Sequence, residues 1–358
     1  MTEPVDAGLF QQQLLSWYGR CGRDLPWRQT RDPYRIWLSE VMLQQTGVQA
    51  VIPYFERFVS QFPDVESLAA APVDAVIELW AGLGYYSRAR NLHAAAQKVC
   101  EEFQGRFPSS VHDLMTLPGV GRSTAGAIRA IAFDQHGVIL DGNVRRVLCR
   151  LFAWQDDPRS SAAEKQLWQW ATLLTPQRRC HDYAQAIMDF GATLCTPRQP
   201  QCASCPMTAL CLGYQQGIQE QLPRKRQRKT VPLRQEVAVL IEYDGRFAVR
   251  QRPLTGMLAG LWEFPSQSYT EPQSPEQLCH HAQRLAGDHD RPLTALGVVR
   301  HVYSHFRVDV SAFYCQVDVT LTECFSTCRW LSKKELTDWP LHGSHKKIVD
   351  TLLMQCGK

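Results

Sequence analysis

Four closely spaced cysteines and two carboxylates in unlike settings are the residues of this 358-residue chain best placed to do chemistry. Cys195, Cys202, Cys205 and Cys211 follow the spacing C-x6-C-x2-C-x5-C. Four thiolates so close in sequence can surround one compact metal centre, and soft thiolates suit zinc or an iron–sulfur cluster. The spacing departs from the two separated C-x2-C pairs of a zinc ribbon. It satisfies the four-thiolate count of a [4Fe–4S] cluster, with zinc the rival on spacing alone. No second metal site is evident, so a structural role is expected for the centre.

The carboxylates are Glu40 and Asp141. Glu40 stands in RIWLSEVMLQQT among Trp37, Leu38, Val41, Met42 and Leu43. A carboxyl buried in such an apolar helix titrates upward, because desolvation disfavours its charge. A glutamate raised in this way is a usable general acid near neutral pH. Asp141 stands in VILDGNVRRVL, just before a helical pattern that begins at Val144. The positive end of a helix favours its ionised form. Taken singly, Glu40 is an exposed helix glutamate and Asp141 is an N-cap. Between them in sequence lies LPGVGRSTAGAI, with Gly119 and Gly121 ahead of a helix start. Both glycines are expected to allow positive φ and close backbone approach. The exposed amides that follow suit an anion such as a DNA phosphate, although a lone G-x-G turn is common in helical proteins.

These residues need scaffolds of two kinds. From about residue 8 to 217, segments such as LFQQQLLSWYGR, VDAVIELWAGL and RARNLHAAAQKVCEEF repeat apolar residues at three- and four-residue intervals, which predicts helices. Asp32-Pro33 marks one helix start. After about 235 the pattern changes. EVAVLIEYDGRFAVRQR predicts two strands around an Asp-Gly turn, and LTALGVVRHVYSHFRVDVSAFYCQVDV predicts more. The expected organisation is a helical domain at 1–217, a basic linker at 218–232 and an α+β domain at 233–358. Charge supports the linker: Lys+Arg against Asp+Glu is 20 to 20 over 1–217, 6 to 1 over 218–235 and 13 to 14 over 236–358. No apolar run is long enough to span a bilayer. The thirteen cysteines are not expected to form a disulfide framework in a cytoplasmic chain, and the acidic N-terminus lacks the basic region of a signal or transit peptide. A cytoplasmic monomer is expected, associated with the nucleoid if the source is bacterial.

Together these residues resemble the MutY family of adenine DNA glycosylases, in the endonuclease III-like superfamily. The resemblance covers most of the chain. It rests on PWR (26–28), SEVMLQQT (39–46), WAGLGYYSRARNL (80–92), LPGVGRSTA (117–125), LDGNV (140–144) and the four cysteines, in that order. It implies a helix–hairpin–helix fold that carries a [4Fe–4S] cluster and binds double-stranded DNA containing adenine opposite 8-oxoguanine or guanine. The adenine would be flipped into a pocket, protonated by Glu40 and cleaved through an oxocarbenium-like sugar stabilised by Asp141. Asn143 matches a residue that supports the glutamate. Arg28 and Gln185 match positions near the adenine. Gln45, Thr46, Leu83 and Tyr85 match residues that enter the duplex around the oxidised guanine. Bifunctional relatives carry a lysine in the hairpin, which attacks the sugar. This chain has Ser123 there and no lysine in 117–128, which favours a monofunctional enzyme that leaves an abasic site.

The C-terminal part resembles a Nudix (MutT-like) fold through Gly260–Pro265, GLWEFP. The metal-binding carboxylates of pyrophosphohydrolases are missing from EQLCHHAQRLAG, where Glu276 is the one acidic residue. The resemblance instead implies recognition of 8-oxoguanine through the loop Tyr303-Ser304-His305, whose first position is more often Phe in the family. The competing readings are an endonuclease III-like glycosylase/lyase, a non-catalytic iron–sulfur DNA-binding redox sensor and a Nudix hydrolase.

Overall fold

The computed structural model describes residues 5–224, 231–253, 256–258, 260–287, 292–303, 306–318 and 328–353. The chain divides between Gln227 and Arg228 into two compact units.

The first unit is helical, as its periodicity predicts. Its helices run α1 (Ala7–Cys21), α2 (Pro33–Leu43), α3 (Val48–Gln61), α4 (Val65–Ala70), α5 (Val73–Trp80), α6 (Ser87–Phe103), α7 (Val111–Met115), α8 (Arg122–Phe133), α9 (Gly142–Leu151), α10 (Ser161–Leu174), α11 (Cys180–Asp189) and α12 (Leu212–Gln215). Asp32 caps α2 by accepting from the Tyr34 N–H at 3.0 Å, with Pro33 in the first turn where no amide is needed.

Two apolar cores form within this unit. One gathers α2 to α7 around Trp37, Phe58 and Trp80; the other gathers α1 and α8 to α11 around Phe10, Leu148 and Phe190. Two helices serve both cores. On α2, Trp37 and Leu38 face the first and Ile36 the second; on α8, Ile128 faces the first and Ala127, Ala130 and Ile131 the second. Whatever stands between the cores is therefore framed by α2 and α8. The chain reaches Asp141 along residues 138–140, which belong to no helix or strand. Gly126 of α8 lets that segment lie against the helix backbone, since a Cβ there would sit 2.0 Å from the Val138 carbonyl oxygen.

The helical unit runs past residue 217. Arg150, fully buried on α9, donates from Nε to the carbonyls of Gln219 at 2.8 Å and Leu222 at 3.0 Å. A buried guanidinium needs such acceptors, and they hold 218–224 on the unit where the sequence suggests a linker.

The second unit is built on a sheet of β1 (Leu233–Tyr243), β2 (Arg246–Gln251), β3 (Trp262–Glu263), β4 (Ser266–Tyr269), β5 (Thr294–Val302), β6 (Arg307–Gln316) and β7 (Arg329–Ser332). The strand order is β3-β2-β1-β6-β5, with β4 on β1 and β7 on β2. β1 and β6 pair in parallel, which puts the continuous apolar run of β1 at the centre. Its alternate residues serve two layers: Val237, Val239 and Ile241 meet α13 (Pro275–Leu285), while Ala238 and Leu240 meet the core beside α14 (Lys333–Asp338) and α15 (Gly343–Ile348). The β1–β2 turn is Asp244-Gly245 with φ of 48° and 71°, the pair of left-handed residues that a two-residue hairpin demands. Among the described residues, no helix is long and apolar enough to cross a membrane.

Candidate active site

Between the two cores of the helical unit lies a cavity of about 1010 Å³. Arg28, Glu40, Thr46, Ser123, Asp141, Asn143 and Gln185 all line it. The predicted acid, the predicted carboxylate and both predicted adenine-side residues thus meet in one place.

Glu40 projects from α2 and has no hydrogen-bond partner among the described residues. Burial pushes its carboxyl up to about 7, the charge of Asp141 adds to the rise and Arg28 opposes it. Asp141 is the N-cap of α9 and accepts from the Val144 N–H at 2.7 Å. Burial raises Asp141 as well, while Val144, Asn143 and Arg146 pull it back. The two carboxyls therefore differ in partners more than in depth: Asp141 is solvated by donors that favour its anion, and Glu40 is left to burial.

Asn143 departs from the sequence expectation. Its amide donates to Asp141 at 3.2 Å and its oxygen accepts from Arg146 at 2.9 Å, so it serves the aspartate rather than the glutamate. It stands two residues beyond Asp141 at the helix start, within reach of the cap. Arg146 also donates to the carbonyl of Cys195 at 2.8 Å, which ties this corner of the cavity to the cysteine loop.

Arg28, on a short 3₁₀ turn (Pro26–Arg28), is held by Asp189. Its two terminal nitrogens reach the two carboxylate oxygens at 2.5 and 2.6 Å, and the Arg23 Nε adds a third bond at 2.7 Å. Burial alone would raise Asp189, but the bonds from Arg28 and Arg23 outweigh it and hold it below the usual carboxylate range. Sequence reasoning missed Asp189, which sits in an unremarkable helical stretch. Gln185 on α11 keeps its side-chain nitrogen 2.7 Å from the His181 Nε2, and its buried Oε1 has no protein partner. Ser123 accepts from the Leu140 N–H at 3.0 Å and so pins the segment leading to Asp141.

The hairpin behaves as expected at one glycine and not at the other. Gly119 has φ of 80°. Gly121 is an extended N-cap with φ of −89°, and a Cβ there would meet nothing within 4 Å, so neither backbone conformation nor packing within the chain requires glycine. Gln45 and Tyr85 are exposed, each on a loop and each in the left-handed region, with φ of 60° and 51°. Thr46 is partly exposed beside Gln45. Leu83 is a correction: its side chain is buried in the first core, where an apolar residue is better satisfied than on a polar rim.

The four cysteines surround one apolar recess with Phe10, Phe190, Leu194 and Met207. Their sulfurs are spread out, since no three lie within 4.8 Å of one another. Tetrahedral zinc holds thiolates at about 2.3 Å, which places the sulfurs roughly 3.8 Å apart. Burial pushes the Cys205 thiol up to about 12, so thiolates there need compensating positive charge. Arg150 already donates to the Cys195 sulfur at 3.3 Å.

In the second unit, Tyr303 packs instead of projecting. Its ring stacks on Phe306 at 4.8 Å and its hydroxyl donates to Ser344 at 3.0 Å, because a phenol buried at one edge must find a partner. Ser304 and His305 lie outside the described residues. The buried group Glu236, His342 and His345 has ligand atoms close enough for a metal. However, the Nδ1 of His345 accepts from the Phe264 N–H at 2.9 Å, so its Nε2 carries the proton and donates to Glu236 at 2.7 Å. That assignment makes it a buried hydrogen bond and not a ligand set.

Comparison with known proteins adds an independent line. The family described as HhH-GPD superfamily base excision DNA repair protein matches residues 38–172, and the NUDIX domain family matches residues 236–351. The adenine DNA glycosylase of Mus musculus is 37% identical over 97% of this chain and 78% of its own length. That of Buchnera aphidicola subsp. Schizaphis graminum is 36% identical over 96% of this chain and 98% of its own. Among solved structures, a thermostable thymine-DNA glycosylase superposes with a TM-score of 0.54 at 31% identity, covering 59% of this chain and 97% of that one. A non-covalent endonuclease III–DNA complex gives 0.50 at 23% identity, covering 58% and 94%, and supports the fold alone.

Proposed function

Since this chain belongs to the adenine DNA glycosylase family, and so is a base excision repair enzyme that removes adenine, we propose that it acts on adenine opposite 8-oxoguanine or guanine and leaves an abasic site without cutting the strand. The observation that carries the mechanism is the meeting of Glu40 and Asp141 in one cavity. Glu40, protonated up to about pH 7, donates to the ring of the flipped adenine and makes it a leaving group. Asp141 stays ionised and stabilises the positive charge that grows on the sugar. The unpartnered Gln185 oxygen suits the adenine amine, and the Asp189 pair fixes Arg28 at the cavity wall. Gln45, Thr46 and Tyr85 meet the duplex. With Ser123 in the hairpin, water completes the hydrolysis in place of a lysine. We place the protein where its DNA is, in the cytoplasm if bacterial.

Incubation with duplexes holding adenine opposite 8-oxoguanine, guanine and thymine tests this reading. Cleavage is expected at the first two after alkali, and borohydride should trap no efficient adduct. Efficient trapping, or equal excision opposite thymine, would sink it.

Cys195, Cys202, Cys205 and Cys211 are proposed to hold a [4Fe–4S] cluster, and their spacing, unlike the two separated C-x2-C pairs of a zinc ribbon, supports this over one zinc ion. Such a cluster braces the 195–211 loop, which Arg146 links to the Asp141 corner. Protein purified anaerobically should be brown, with about four irons per chain. Stoichiometric zinc without iron would refute the assignment.

The Nudix-like unit is proposed to read the oxidised base. A chain ending near residue 225 should excise adenine opposite guanine but lose much of its preference for 8-oxoguanine. Single-turnover excision on the two mispairs measures this. An unchanged preference would return that role to Gln45, Thr46 and Tyr85.

A further inference from the structure

Arg88, in the first turn of α6, is a buried residue, 7% exposed. It donates from Nη1 to the carbonyls of Val41 at 3.2 Å, Met42 at 2.7 Å and Gln44 at 2.7 Å. From Nη2 it donates to Thr46 Oγ1 at 3.0 Å and to the carbonyls of Leu83 at 3.2 Å and Gly84 at 3.0 Å. These acceptors belong to three things at once: the C-terminal end of the Glu40 helix, the Gln45 loop and the Tyr85 loop. The guanidinium also lies over the ring of Trp80 at 5.2 Å, which stops it from leaving the core.

The loops it joins are held in a costly shape. Gln45 and Tyr85 are bulky residues with positive φ, a costly conformation that persists only where neighbours fix it. Arg88 supplies the fixing on both flanks: it binds Gln44 and Thr46 on either side of Gln45, and Leu83 and Gly84 just before Tyr85. The four N–H groups on the two terminal nitrogens reach all of these, with Nε left unpaired, whereas a lysine ammonium offers three donors from one point.

We propose that Arg88 is a positioning residue for base extrusion: one buried guanidinium locks the Gln45 and Tyr85 loops to each other and to the end of α2, so that both wedges enter the duplex as a unit in register with Glu40. This rests on the reading that Gln45 and Tyr85 meet DNA. Rigid coupling means that the unstacking of the adenine is met by two pre-set side chains and not by two loops that must order on contact. Arg88 itself touches neither base nor sugar.

The test uses the full-length protein and a duplex with adenine opposite guanine, flanked by 2-aminopurine, whose fluorescence rises on unstacking. A second duplex carries the same target inside a three-pair mismatch bubble, where the adenine is already unstacked. Arg88→Lys should keep the parent's iron content and far-UV circular dichroism. It should lose most of the 2-aminopurine signal and roughly 10-fold or more in single-turnover excision on the first duplex. On the bubble it should recover to within about 3-fold of the parent, well short of the roughly 10²-fold loss a misplaced catalytic group gives. Equal losses on both duplexes, or an undiminished fluorescence signal, would overturn the proposal. If Arg88→Lys loses iron or helical signal, its excision is expressed per active site titrated on the bubble duplex, and the roughly 10-fold loss on the first duplex should persist; equal per-site rates on the two duplexes overturn the proposal too. Gln45→Ala and Tyr85→Ala test the premise separately. If neither changes the fluorescence signal, the loops do not wedge and the reading beneath the proposal fails, whatever Arg88 does.

Discussion

Glu40→Gln should bind mispaired DNA as the parent does and excise adenine roughly 10²-fold or more slowly, the scale expected when a general acid is removed. The amide fills the same space on α2 but has no proton to give. Two pH effects accompany the loss. In the parent, kcat/KM should fall as pH rises through about 7, because Glu40 must be protonated to act. Stability should move the same way. A buried glutamate with a raised pKa costs nothing below the unfolded value near 4.3, where both states hold the proton. The cost grows as pH rises toward 7, because the unfolded chain ionises freely and the folded one resists. Above 7 it is roughly 2–3 kcal/mol, discounted for the carboxyl's access to the cavity. Glu40→Gln removes that cost, so the inactive variant should melt higher than the parent at pH 8 and no higher at pH 4. Single-turnover kinetics and thermal melts at the two pH values check both halves. A variant that keeps near-parental excision removes Glu40 from the chemistry, and one that melts lower at pH 8 contradicts the burial.

For Asp141→Asn the expected loss is also roughly 10²- to 10³-fold in excision, the range seen when one preorganised electrostatic stabiliser is deleted. Here the fold should barely notice. Asparagine is as good an N-cap as aspartate, its oxygen can still accept from the Val144 N–H, and α9 keeps its start. The side chain keeps its place beside Asn143 and loses only its charge. That charge also helps to raise Glu40. The residual activity of Asp141→Asn should therefore begin to fall at a lower pH than that of the parent. A pH–rate series on the variant reads this directly. An unshifted limb would mean that the two carboxyls do not feel each other, and near-parental excision would leave the sugar's charge to other groups.

Much of this site is legible in the sequence because its signals are local. Asp141 announces itself as a cap followed by a helical pattern, and Glu40 as a lone charge in an apolar run. The Asp-Gly turn and the doubly buried run of β1 declare the sheet in the same way. Groups whose role depends on distant partners are silent. Asp189 lies some 160 positions from Arg28, and nothing near it distinguishes it from a surface carboxylate. Arg88 stands in SRARNL beside Arg90, and only packing decides which of the two is swallowed by the core. The hydrogen-bond partners of Asn143 and Tyr303 are silent for a related reason. A family motif gives a residue's neighbours on the chain, while a hydrogen bond goes to whichever acceptor the fold brings within 3 Å or so.

Gly126 carries no reactive group and faces no cavity, yet the segment that delivers Asp141 is pressed against it. A single methyl group at that point has nowhere to go: the neighbour is backbone, which cannot rotate away as a side chain can. The segment would have to lift, and it is pinned at its far end by Ser123 and by the α9 cap. In a survey of tolerated changes, this position would therefore score beside the carboxylates themselves. A reader of variants who ranks positions by distance from the reaction would pass over it, although it decides where one of the two reacting charges stands.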